Sequence, residues 1–131
     1  MPRFQRTATV LLVIFGGACT DTSADEGRLL FAENCTACHG RDGKGRGPMT
    51  DHLKIAPGDL TRLAQRNGGT FDAEYVFRVI DGQVEVAEHR FMPMWGEVFE
   101  EQLTDYPHAA ERAVPYVRAL TDYLESIQLD E

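Results

Sequence analysis

Cys35-Thr36-Ala37-Cys38-His39 decides how this chain is read. Two thiols lie three residues apart on one turn of chain, and an imidazole follows at the next position. That pattern is the attachment signature of a covalently bound c-type haem. The thiols add across the two vinyl groups on one edge of a porphyrin, which sets their spacing. The next residue is then held against the ring face, where its imidazole bonds the iron as proximal ligand. Other chemistries use the same cysteine pair. A thioredoxin-like dithiol belongs beside a strand–helix unit, and no strong strand signal precedes Cys35. A structural zinc site needs about four ligands. The remaining cysteine is Cys19, and His52, His89 and His108 have no companion at metal-ligand spacing. The expectation is one haem, attached through Cys35 and Cys38, with His39 on the iron.

The 131 residues suffice for one domain. Arg3 and Arg6 make a basic start, Ala8 to Phe15 a short apolar run, and Gly16-Gly17-Ala18 a small-residue stretch. Together they read as a secretory signal peptide over residues 1–18, too short in its apolar part to span a bilayer as a helix. Export agrees with the haem, because c-type haem is attached outside the bacterial cytoplasmic membrane; the expected location is the periplasm. Cys19 is then an odd cysteine in an exported chain. One reading is a lipoprotein, cleaved before Cys19 and anchored to a membrane by a lipid on its thiol. Gly-Gly-Ala-Cys resembles that cleavage box but has Gly16 where a leucine-like residue is usual. The other is ordinary cleavage near Ala18, leaving a free thiol. Residues 19–26 would form a polar, unstructured spacer, and residues 27–128 the folded domain.

The formal charge is −8, and loss of the two leader arginines would leave −10. Haem propionates add more negative charge. An acidic surface argues against nucleic acid. It points to protein partners with basic docking patches, whose attraction weakens as salt rises. Acidity also keeps an exported monomer soluble.

Along the chain, Gly27 to Cys38 reads as a helix with Leu30 and Phe31 on its apolar face. The glycine-rich stretch Gly40 to Pro48 is loop. A short helix spans about Leu60 to Arg66 and stops at Asn67-Gly68-Gly69. A third covers about Ala73 to Asp81, with Asp72 as N-cap, Phe71 and Val76 placed as a hydrophobic staple, and Gly82 as the stop. The last segment is the most periodic: Ala113, Val117, Leu120, Leu124 and Ile127 form one helical stripe. Pro115 interrupts it, so the final helix either starts there or runs from about His108 with a kink. The fold class is mainly α, with four to five helices. So much loop in a small domain needs a further source of core, and a buried haem provides it.

Candidates for the iron's other face are Met49, Met92, Met94, His52, His89 and His108. Met92-Pro93-Met94-Trp95-Gly96 lies in the irregular stretch before the C-terminal segment, where a loop ligand can wrap to the far side of the ring. Here the chain resembles the class I monohaem cytochromes c, over about Gly27 to Gln128. Gly27 and Phe31 match the helix before the haem motif. Gly47-Pro48 matches the proline loop after it, Met92-Pro93 the distal-methionine loop, and Leu120 and Tyr123 the C-terminal helix. The resemblance implies the cytochrome c fold around one haem. It implies Met92 as axial ligand, with Met94 the runner-up. It implies that Gly27 allows the terminal helices a close crossing, and that the carbonyl of Pro48 accepts a hydrogen bond from His39. Trp95 either packs at the haem edge or donates to a propionate, and Arg66 and Arg90 are weaker candidates for propionate partners. The function implied is a one-electron carrier in a periplasmic respiratory chain rather than an enzyme. The alternatives are a haem subunit of a periplasmic oxidoreductase complex and a haem-based gas sensor.

Overall fold

The computed structural model describes residues 22–86 and 90–129. The expected leader, Cys19 and His89 lie outside them. Six α-helices and two 3-10 turns follow one another, with no strand among the described residues. The helices are α1 (Thr22–Asn34), α2 (Thr36–His39), α3 (Leu63–Arg66), α4 (Ala73–Asp81), α5 (Trp95–Gln102) and α6 (Ala109–Ser126). The 3-10 turns are Thr50–His52 and Leu60–Arg62, the second running into α3. The mainly α class stands, three boundaries change, and the start of the final helix is the earlier of the two expected. Residues 22–26 are helical rather than an unstructured spacer, and the helix expected over Gly27 to Cys38 divides at Cys35. Trp95–Gln102 is a helix inside the stretch read as irregular. The final helix begins at Ala109 and passes through Pro115 without ending.

The close crossing of α1 and α6 organises the rest. Gly27 is buried there, and a Cβ on it would collide with the carbonyl of Ala119. Only a residue without a side chain lets the backbones come so near. Four residues on, Phe31 meets Tyr123 with ring centroids 5.3 Å apart. Ser23 Oγ donates to Asp122 Oδ2 at 2.5 Å and ties the first turn of α1 to the same helix. On α6, Ala113, Val117, Leu120 and Leu124 form the buried stripe that the periodicity predicted.

α4 forms where local signals agree. Asp72 Oδ1 accepts from Tyr75 N at 2.9 Å, satisfying one orphan donor of the first turn. Val76, Phe77 and Ile80 face the core, and Gly82 ends the helix in the left-handed conformation, donating to Arg78 O. α5 packs Phe99, 2 % exposed, against Tyr116 of α6 with centroids 5.5 Å apart. Gln128 closes the molecule: its Nε2 donates to Leu60 O and its Oε1 accepts from Ala64 N, both at 2.9 Å. The tail beyond α6 is thereby fastened to the turn that leads into α3.

Candidate haem-binding site

Cys35 follows the last turn of α1, donating to Phe31 O at 2.9 Å, so the motif is an extension of the helix anchored on α6. α2 is a single turn, with His39 N bonded to Cys35 O at 2.9 Å. A four-residue helix leaves nearly all its carbonyls without partners of its own. The loop beyond it supplies them: Gly45 N donates to His39 O at 2.8 Å, Gly47 N to Cys38 O at 3.1 Å and Met49 N to Ala37 O at 2.9 Å. Thr50 Oγ1 adds a second donor to Cys38 O at 3.1 Å. Gly47 must be glycine for this contact, since a Cβ there would run into the carbonyls of Thr36 and Ala37. Exposed Pro48 sits between the two anchored residues. The glycine-rich stretch thus braces the turn that carries His39, which is 8 % exposed.

His39 and Cys35 line a cavity of about 430 Å³, within the range of small-molecule and cofactor sites. Its walls are chiefly apolar: Leu60 and Leu63, Val76 and Ile80 of α4, Leu120 and Leu124 of α6. Arg66, Asn67, Asp72 and Tyr75 are its polar members. A smaller cleft of about 50 Å³ shares Cys35, His39, Met92 and Trp95 with the cavity and adds Cys38. Both motif thiols, the imidazole and a thioether therefore line the cleft, and all of them but Cys38 also line the cavity. A large flat apolar group tethered at Cys35 and Cys38 is what the space fits.

Of the six residues weighed for the iron's second face, Met92 lines both cavity and cleft. Met49, Met94, His52 and His108 line neither. Met94, the runner-up, stands at the N-cap of α5 and is 48 % exposed, packed so closely on Gly82 that a Cβ there would lie 2.6 Å from it. Trp95 begins α5, lines the cavity and stacks towards Phe99 at 5.7 Å, continuing to Tyr116. Arg66 reaches the cavity, whereas Arg90 is not among its lining residues. Asn67, Asp72 and Tyr75 were missed as lining residues; a turn and a helix cap carry no sequence signal of the cavity they face.

Burial pushes the Cys35 thiol up to about 12, with Cys38 beside it adding to the effect. Among the described residues no group of three or more His, Cys, Asp and Glu side chains is assembled to hold a metal ion.

Comparison with known proteins agrees with this geometry. Residues 24–128 match the family described as "Cytochrome c". A partial likeness, 38 % identity over 58 residues, connects the chain to the "Cbb3-type cytochrome c oxidase subunit CcoP" of Rhodobacter capsulatus. It covers 40 % of this chain and 20 % of that subunit, so the chain spans about a fifth of the length of its curated relative. No solved structure matches significantly.

Proposed function

The chain belongs to the cytochrome c family and is a haem-based electron-transfer protein, and on that premise we propose that it carries single electrons outside the cytoplasmic membrane on one haem held by Cys35, Cys38, His39 and Met92. The observation that supports the ligand assignment is that both thiols, the His39 imidazole and the Met92 thioether line one cleft. When bound, haem supplies a one-electron couple at its iron.

The chain's residues suit that couple to carrying rather than to catalysis. His39 and Met92 would together hold the iron and leave no open place for oxygen or a substrate. A thioether favours the reduced metal, so Met92 as a ligand would raise the potential. The loop bonds to the carbonyls of Ala37, Cys38 and His39 hold α2 still, which limits rearrangement on oxidation and reduction. Pro48, fixed between Gly47 and Met49, would accept from the second nitrogen of His39 and set the ring's orientation. Arg66, one of the polar residues lining the cavity, would offset propionate charge.

The leader-like start and Cys19 support export and a lipid anchor; mass spectrometry of the mature N-terminus distinguishes a lipidated cysteine from a free one. Among the described residues no helix is long and apolar enough to cross a membrane. The likeness to an oxidase subunit favours one second reading, a haem subunit of an oxidoreductase complex. Redox titration of the purified protein tests the carrier: a reversible one-electron couple with no carbon monoxide binding to the reduced form is expected. Rapid carbon monoxide binding at neutral pH would refute it. Co-purification with a catalytic subunit would favour the complex.

A further inference from the structure

Met94 is the runner-up for the iron, yet it lines neither the cavity nor the cleft. Its own surroundings are specific. It stands at the N-cap of α5, extended at φ −77° and ψ 94°, and its carbonyl accepts from Val98 N at 3.1 Å. Its side chain lies against Gly82, the left-handed residue that ends α4 at φ 95°. A Cβ on Gly82 would lie 2.6 Å from Met94 Cβ and Cγ and 3.2 Å from its Sδ. Glycine is required here twice, for its positive φ and for the room that the methionine fills. Two residues on, Gly96 rests on Asp81, whose Oδ2 accepts from Gln83 Nε2 at 2.6 Å. The end of α4 and the start of α5 are therefore packed directly on each other.

This joint closes the segment that carries Met92. Residues 83–93 leave α4 after Gly82 and return at Met94. Among the described residues no backbone hydrogen bond ties 90–93 to the rest of the fold. Packing at the ends of the segment must therefore hold it. Trp95 and Phe99 fasten α5 to Tyr116 of α6, and Met94 fastens the start of α5 to α4. Pro93 stiffens the link between the two methionines. Its ring fixes its own φ, and it biases Met92 toward an extended backbone. A shift of Met94 is passed to Met92 with little slack.

Resting on the Met92 assignment above, we propose that Met94 is a positioning residue: seated on Gly82, it holds closed the loop that presents Met92 to the iron. Its task is packing and needs no sulfur. Leucine can serve in its place, since a leucine-for-methionine exchange nearly conserves volume. Alanine cannot, because most of the contact with Gly82 goes with the side chain. Removing the seat enlarges the population in which the loop is open and Met92 is off the iron; it does not abolish ligation.

The test uses the intact haem-loaded, oxidised protein and imidazole, a nitrogen ligand that takes the iron only in molecules where Met92 has let go. Its apparent affinity therefore follows the open fraction. At neutral pH and without imidazole, Met94→Ala keeps the methionine-to-iron charge-transfer band. On titration that band is expected to disappear at roughly tenfold lower imidazole than in the wild type. Met94→Leu is expected to restore the wild-type midpoint. Ser23→Ala is the control: it removes the bond to Asp122 at the end of α1 remote from Cys35, and lowers stability in urea without moving the imidazole midpoint. An unchanged midpoint in Met94→Ala would overturn the proposal and leave the Met92 assignment intact. So would a tightening that Met94→Leu does not reverse, or an equal shift in Ser23→Ala. A band that survives in Met92→Ala would instead remove that assignment, and the proposal with it.

Discussion

Gly27 shows how much can depend on a single missing carbon. Its backbone rests on the carbonyl of Ala119, and the crossing it permits aligns Phe31 with Tyr123 and carries Cys35 into position. Gly27→Ala is expected to force α1 and α6 apart and cost about 1–3 kcal/mol by urea denaturation of the haem-loaded protein. Asp59 offers a prediction in pH. Partial burial works against its ionisation, yet hydrogen bonds from the Thr61 side chain and backbone prevail, aided by Arg62 and Lys44. Its carboxyl is thus held below the usual aspartate range. A depressed folded value stabilises above the ordinary pKa of ~3.9 and is lost as pH falls through the lower one. Acid titration of Asp59→Asn should show a shallower loss of stability below about pH 4 than the wild type. The haem motif was legible because its chemistry dictates its spacing. Met92 and Met94 were harder to separate, because two methionines around one proline look alike until Met94 is seen at the cap of α5.

Elements with redundant local signals were read to the residue, and those defined by tertiary contact were not. α4 has a cap, an apolar face and a glycine stop, and it occupies the expected Ala73–Asp81. Asp72→Ala should cost about 1 kcal/mol in chemical denaturation, since it strips the acceptor from Tyr75 N. α5 was overlooked because its eight residues offer two turns of pattern, and Met-Pro before it and acidic residues within it read as loop. Trp95, Val98 and Phe99 were the available signal. Pro115 made the start of α6 ambiguous; the helix forms from Ala109 because the buried stripe from Ala113 to Leu124 outweighs one missing donor. The Gln128 clamp had no sequence signal, as it joins residues more than sixty positions apart. Gln128→Ala should leave Leu60 O and Ala64 N without their partner and cost about 1–3 kcal/mol by the same denaturation measurement.

At the scale of the molecule, helices surround a chiefly apolar space that we propose haem fills. On that reading folding and haem attachment are coupled: a Cys35→Ser/Cys38→Ser variant should lose near-ultraviolet circular dichroism and much of its cooperative unfolding, with α1 and α6 contributing the residual helix. The sequence points the same way: the motif implies a haem, and so much loop in a small domain needs a further source of core. The central claim is that this enclosed site presents His39 and Met92 to one iron. The most direct measurement is the methionine-to-iron charge-transfer absorption of the oxidised protein, recorded for the wild type, Met92→Ala and Met94→Ala. The band should be present in the wild type and in Met94→Ala and absent from Met92→Ala. A band that survives in Met92→Ala and disappears in Met94→Ala would contradict it.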